Sequence, residues 1–568
     1  MVAPDIPRRQ SRRSVGWLLL GLAVLLWLAA LPLSDISRID GWGLLVGLSP
    51  LWYASFVLTV AAYLVALIRD EATPRLLAAC QVVLVLLLFG TTAVLYDAPR
   101  YPWSQKHIGV AAALLSHGLR RSTDIYDNYP GFFLLADAVH LVTRLPLSIL
   151  ARWAEVAFAS ATSAAALFAF RGLELTRRQR WQALLLLTLG NWIGQGYFAP
   201  QALAYVLALV IAGGLLRRVE GTGWWSRRGG AVVLPVLFLA LTTSHQLTPF
   251  AVLGQAGLLW AFRGGLRWRW PVGFAAILVG WTAAAWPYLS THGHVLQLGL
   301  FDGVRAPGTG LVPTLPGARL VQTAGPALIV LLSCLAALAV IRAIRRGRWR
   351  TIRPVVLVAV APAGVLAGQA YGNEGVLRVY LLALPWLSVL VASQLLADWR
   401  RPRVAAAGTV ALTAAVGVLA VPASFGLEMV NHVDSGDVAA AAWFEQNTPA
   451  GAPLVVLDPA AATRSTSSYS LHVTGDKIAA DVLSDDPGFR TAAQNPQDLE
   501  NFAIDACLGA AGKGPAYLLT GPGTARFAAL YGLVTPAVHA GLLQVLAQDP
   551  DVVLVHRVRG SSIWKCSP

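Results

Sequence analysis

Charge is scarce in this chain of 568 residues: Asp, Glu, Lys and Arg together make up 13%, against 56% hydrophobic residues and a mean hydropathy of +0.59. That balance excludes an ordinary soluble protein, in which about a quarter of residues are charged. Acids are the scarcer sign, 29 against 44 basic residues, for a formal net charge of +15. Cysteine is nearly missing, with four in all and no C-x-x-C pair among them. The sequence also lacks a Walker loop, a G-x-G-x-x-G after a strand and an H-E-x-x-H helix, which removes the usual signatures of soluble enzymes and disfavours ATP-driven transport. GPGTA at 521–525 is the nearest approach to a nucleotide loop and stands alone.

What the chain does have is apolar runs of roughly 20 residues, the length that crosses roughly 30 Å of hydrocarbon as a helix. They recur from residue 15 to about 422. The basic residues lie between them, in clusters such as Arg8–Arg13, Arg171–Arg180, Arg217–Arg228 and Arg342–Arg353. This is the positive-inside pattern, not the concentrated patch that would point to nucleic acid. Holding every cluster on the cytoplasmic side gives about 13 spans, at 15–34, 51–69, 75–95, 149–171, 180–197, 199–217, 229–245, 248–263, 271–290, 323–344, 353–371, 378–397 and 403–422. The first apolar run continues past the length of a signal peptide, so it reads as a retained span with a cytoplasmic N-terminus.

The expected fold is therefore mainly α: a polytopic transmembrane bundle over 1–424, with a large first external loop at 96–148, and a small extracytoplasmic α/β domain over 425–568. In that tail Leu454–Asp458, Ala516–Thr520 and Val552–Val558 read as strands and Asp437–Gln446 as an amphipathic helix. Cys507 and Cys566 can form a disulfide if the tail lies outside the cytoplasm. Gly131–Leu145 is apolar but short and carries Asp137, His140 and Arg144, so it reads as a re-entrant or interfacial helix.

Polar residues gather on the outer side. Asp97 directly follows the third span, where a carboxylate can serve as general base for a substrate arriving from the lipid; a hydrated residue at a helix end is the plainer reading. Lys106 and His107 can contact a phosphate group. In DIYDNYPGFF, Asp124 and Asp127 share a face if helical, next to Tyr129, and suit sugar hydroxyls or a divalent cation; the same residue types also form turns. No other cofactor is indicated. Gln195 and Gln201 fall in one outer turn. His245 and Gln246 occupy another, S-H-Q-L-T-P-F, where a neutral imidazole can donate to a diphosphate or sugar. Arg378, beside Glu374 in a third, either closes an ion pair or grips a lipid phosphate with its planar fork.

Asp97, the surface segment Trp103–Gly118, the turn Tyr126–Gly131 before a short helix, and Leu145-Pro146 with Ala151-Arg152 together resemble the GT-C superfamily of polytopic membrane glycosyltransferases. The combination of PRYPWSQKHIG, DIYDNYPGFF, YFAPQALAY and TSHQLTPF is also similar to a group of actinobacterial GT-C-like membrane proteins. The resemblance implies a polyprenyl-phosphate-linked sugar donor, an acidic residue of the first external loop as base and an external C-terminal domain. On this reading the chain transfers a sugar to a cell-envelope glycan or lipid acceptor on the outer face. Asp97 is the base; Arg378 and His245, with Lys106 or His107, receive the leaving phosphate. A transporter or flippase of lipid-linked saccharides, or a non-catalytic envelope-assembly protein, is the alternative. A transporter needs polar groups through the midplane, and most spans here are bare.

Overall fold

In the computed structural model the described residues are 8–69, 74–119, 125–221, 224–262, 265–291, 311–367, 375–396, 402–474, 477–478, 480–511 and 514–566. Each of the expected spans corresponds to a helix, and among the described residues ten helices are both long and apolar enough to cross a membrane. The chain is a multi-pass membrane protein. Three expected spans are shorter helices, Arg177–Gly190, Arg228–Ser244 and Thr248–Ala261. At 1.5 Å per residue the two 14-residue helices reach only about 21 Å, less than the roughly 30 Å of a hydrocarbon core. Each of these helices has an end at a polar turn, GNWIGQGYFAP or SHQL, so the bundle is hollowed at that end.

Polar groups are scarce within the bundle, and some of those that are buried bond to one another. Thr91 Oγ1 accepts from Trp27 Nε1 at 3.1 Å and Trp52 Nε1 at 2.9 Å and donates to Leu87 O. Gln81 donates to Ser163 and Thr188. These bonds satisfy donors that hydrocarbon would leave orphaned. The span Pro74–Leu95 carries a single π turn at Leu86–Gly90, just before Asp97. The short helix Gly131–Thr143 forms where the re-entrant piece was expected. It buries Phe132, Phe133 and Ala136 and turns Leu134, Leu141 and Val142 outward, the last 84% exposed, which suits a helix lying against lipid.

The last span, Pro402–Phe425, leads through the short helix Glu428–Asn431 into the tail. Its strands are β1 (Leu454–Val456), β2 (Val473–Thr474), β3 (Lys477–Ile478), β4 (Ala480–Val482), β5 (Ala516–Thr520), β6 (Val552–Val558) and β7 (Ser561–Cys566). The main sheet runs β4-β1-β5-β7-β6, parallel among the first three and antiparallel beyond, and β2 pairs with β3 apart from it. β1 and β5 are buried along their whole length, as central parallel strands require, and are apolar runs accordingly. The expected strand at β1 ends at Val456 instead of Asp458, because the carboxylate of Asp458 turns back to accept from Ala460 N at 2.9 Å. β7 was not among the expected strands. It closes a hairpin with β6 through Arg559 and Gly560, whose φ values of 46° and 86° suit a tight primed turn. A disulfide joins Cys507 to Cys566, closing a loop of 59 residues.

The tail also buries several acids, Asp437 and Asp458 among them. Asp437, on the helix Ser435–Asn447, accepts from Gly523 N and Ser561 Oγ at 2.8 and 2.6 Å. Burial pushes its carboxyl up to about 6 against those two bonds, and burial raises Asp458 further, with Asp437 adding to it. A carboxyl raised above its unfolded value of 3.8 stabilises the fold most when protonated, below about pH 4, and that contribution is lost as pH rises through about 6. The tail of the full chain is therefore expected to resist pulse proteolysis better at pH 5 than at pH 8, by about 1–1.5 kcal/mol, with Asp437→Asn flattening the difference. Resistance that rises with pH, or falls equally in Asp437→Asn, would contradict this.

Candidate active site

The hollow end of the bundle and the tail enclose a cavity of about 490 Å³. The segment after the third span supplies one wall. The helix Pro102–His117 brings Trp103 and His107, with Tyr101 at its N-cap, and the short helix Ile125–Asn128 brings Tyr126. Gln195 and Tyr197 come from the turn that ends Arg177–Gly190, and Gln201 from the head of Pro200–Val219. His245 and Gln246 come from the S-H-Q-L turn and Arg378 from the start of Gly375–Leu390. The tail contributes Pro459 and Ala460 after β1 and Phe527, with Asn431 from the neck.

Six residues expected from the sequence thus meet around one space: His107, Gln195, Gln201, His245, Gln246 and Arg378. Their chemistry is specific. His245 caps the end of Arg228–Ser244, and its Nδ1 faces the backbone N–H groups of Leu247 and Thr248, both at 3.2 Å. A ring nitrogen that accepts there leaves the proton on Nε2, so the neutral ring is a donor, as the sequence suggested. His107 has the opposite tautomer. Its Nδ1 is 2.8 Å from the carbonyl oxygen of Phe198, which can only accept, so Nδ1 carries the proton. Among the described lining residues Arg378 alone carries a fixed charge, so the wall suits an anion.

Other expected residues lie elsewhere. Asp97 is exposed and does not line the cavity; Arg152 donates to its backbone carbonyl, and its neighbour Ala98 packs with Val433 and Ala462 where bundle meets tail. Lys106 does not line the cavity; its ammonium is 4.6 Å from the centre of the Tyr126 ring and 5.5 Å from that of Trp103. Tyr129 is buried against Tyr288 and Leu289, and Asp127 is half-buried on the same short helix as Tyr126. Asp124 and Glu374 lie outside the described residues. No group of three or more metal-binding side chains occurs among the described residues.

Sequence reasoning missed the ionic centre beneath this wall. Arg100 is buried between Glu428, which it contacts through Nε at 3.1 Å and through Nη2, and Glu155 at 3.4 Å. Tyr96 donates to Glu428 at 2.7 Å and Tyr101 to Glu155 at 3.3 Å. Tyr101 is held at φ 72° by its N–H bond to Asn431 O, a conformation that a non-glycine residue adopts only under constraint. Gly194, at φ 66°, gives Tyr101 room: a Cβ there would lie 2.7 Å from its hydroxyl. The signal for Glu155 was available, since it is a lone acid within the apolar run 147–171.

Fold and cavity together define a polytopic membrane protein with a polar cavity between its bundle and an α/β tail. No family model matches the chain, and no curated protein matches it in sequence. Among solved structures it is similar to the Archaeoglobus fulgidus oligosaccharyltransferase tethered with an acceptor peptide, at 11% identity over 81% of this chain and 71% of that one, TM-score 0.49. It is similar to ArnT from Cupriavidus metallidurans bound to undecaprenyl phosphate, at 14% identity over 87% and 99%, TM-score 0.45. It is also similar to the arabinofuranosyltransferase AftD from Mycobacteria, at 15% identity over 87% of this chain and 42% of that one, TM-score 0.49. These three TM-scores lie below 0.5.

Proposed function

We propose that the protein transfers a sugar from a polyprenyl-phosphate carrier to a cell-envelope acceptor on the outer face of the membrane. The observation that carries this is the cavity: Arg378 and the Nε2–H donor of His245 offer a phosphate its partners, while Gln195, Gln201 and Gln246 offer amides to sugar hydroxyls. Its volume, about 490 Å³, falls within the range of small-molecule sites. The phosphate leaves with the bonding electron pair, and donors aimed at it lower the barrier. The tail, which forms one wall, orients the acceptor. The disulfide between Cys507 and Cys566 supports a tail outside the cytoplasm, which puts the N-terminus inside if about 13 spans cross.

The sequence resemblance gives Asp97 as the general base. A transporter reading is less well supported, because buried polar side chains within the spans, such as Gln81 with Thr188 and Gln182 with Thr409, bond to each other. The test is transfer of labelled sugar from synthetic polyprenyl-phosphate donors by the purified protein, parent against Asp97→Asn. Transfer by the parent and a loss of about 10²-fold or more in Asp97→Asn is expected if Asp97 is the base. Undiminished transfer in Asp97→Asn removes Asp97 from that role, and a parent inactive with every such donor removes the transferase reading.

A further inference from the structure

We infer that the end of the bundle opposite Arg378, the cytoplasmic end on the orientation proposed above, carries a second binding site, for a ligand that joins a primary ammonium to a phosphate as an aminophospholipid headgroup does. A cavity of about 450 Å³ opens there among helix ends. Glu174 lies just past Leu147–Arg171, Glu220 is the C-cap of Pro200–Val219, and Arg350 and Arg353 stand in the first turns of Trp349–Val360. Ser393 and Gln394 come from the last turn of the span Gly375–Leu395, which carries Arg378 near its other end. The two cavities therefore lie at opposite ends of one span.

Gln394 is the residue that calls for a ligand. It belongs to a π turn, Val391–Leu395, a rare geometry that recurs at functional sites. Its side chain lines the cavity, yet the residue is only 8% exposed. Ser393 Oγ gives its proton to Leu390 O at 3.4 Å and accepts from Gln394 Nε2 at 3.2 Å. This fixes the amide with Oε1 as its other end, and Oε1 is buried with no hydrogen-bond partner. A carbonyl oxygen taken out of water needs a donor, which an N–H group of a molecule in the cavity supplies.

The acids select the kind of donor. Neither Glu174 nor Glu220 forms an ion pair among the described residues. The Glu220 carboxyl is raised above its ordinary value by burial and then by Glu174, against Arg217 one turn back, so the two acids lie within each other's field. An ammonium relieves that repulsion and brings N–H groups for the carboxylates and Gln394 Oε1 together. Arg350 and Arg353, three residues apart and so on one face of their helix, add the opposite charge, and their guanidinium forks match phosphate oxygens. Leu175 and Val355 give the same cavity an apolar side, which suits the glycerol and acyl part of a lipid.

The experiment titrates the delipidated full chain, in a detergent with neither amine nor phosphate, with dihexanoyl phosphatidylethanolamine, and calorimetry reads the affinity. Phosphatidylcholine and phosphatidylglycerol with the same acyl chains, and water-soluble glycerophosphoethanolamine, are the comparison ligands. The site requires the ethanolamine lipid to bind at least about tenfold more tightly than the choline lipid, which has no N–H, and the glycerol lipid, which has no cation. Gln394→Met, and Glu174→Gln combined with Glu220→Gln, are each expected to weaken its binding about tenfold or more. The glutamine pair keeps the shape of both side chains and remains informative if Gln394→Met folds poorly. Glycerophosphoethanolamine binding as tightly as the lipid keeps the site and makes its ligand water-soluble. Equal affinity for the ethanolamine and choline lipids, or parent affinity in the glutamine pair, overturns the inference. Binding is read without sugar transfer, so the transferase reading stands or falls separately.

Discussion

Arg378→Gln is expected to lower sugar transfer about 10²–10³-fold, the effect of removing one preorganised donor from a charge that grows in the transition state. Arg378 is the fixed positive charge of the described cavity wall, which also carries His107 and Tyr126. Negative charge on the carrier phosphate increases as the glycosidic bond breaks, so the loss is expected mainly in kcat, with a smaller rise in donor KM. Arg378→Lys keeps the charge and loses the fork, and is expected to recover only part of the rate. Steady-state kinetics with a defined polyprenyl-phosphate sugar measures both variants. If Arg378→Gln transfers within about twofold of the parent, Arg378 does not stabilise the leaving phosphate.

Arg100→Met is expected to destabilise the protein by about 3–5 kcal/mol, because it strands two buried carboxylates without their counter-ion. Glu428 is fully buried and Glu155 nearly so, and Arg100 is the cation that both contact. The same variant is expected to loosen the tail from the bundle, since Glu428 lies in the neck between them and Tyr101 is tied to Asn431 one turn further on. Changing all three charged residues to neutral ones of similar volume, Arg100→Met with Glu155→Gln and Glu428→Gln, is expected to recover much of the loss. Denaturant titration of the detergent-solubilised chain, with proteolysis of the tail as a second readout, provides the comparison. An Arg100→Met variant within about 1 kcal/mol of the parent would show that the ion centre contributes little.

Much of the site was readable because its residues sit in turns that the apolar pattern itself exposes. Gln195, His245 and Arg378 each lie where a span begins or ends, so ordering the spans was enough to bring them to one end of the bundle. Asp97 satisfied the same criterion, yet it is exposed and does not line the cavity, because sequence position sets the depth of a residue and not the direction that its side chain takes in a loop. Tyr126 and Lys106 are within one short segment, but only the folded chain turns Tyr126 to the cavity and puts the ammonium on its ring.

The sequence by itself determined that this is a multi-span membrane protein with an α/β tail. Hydrocarbon demands long apolar helices, and arginine placement and strand patterning are local signals that survive without coordinates. Only the tertiary structure decided what the cavity contains and what holds it. Arg100 meets Glu155 across 55 residues and Glu428 across 328, and Pro459, Ala460 and Phe527 reach the cavity from the tail. Contacts at such separations are chosen by burial and by the pairing of charges removed from water, and neither leaves a periodic trace in the chain.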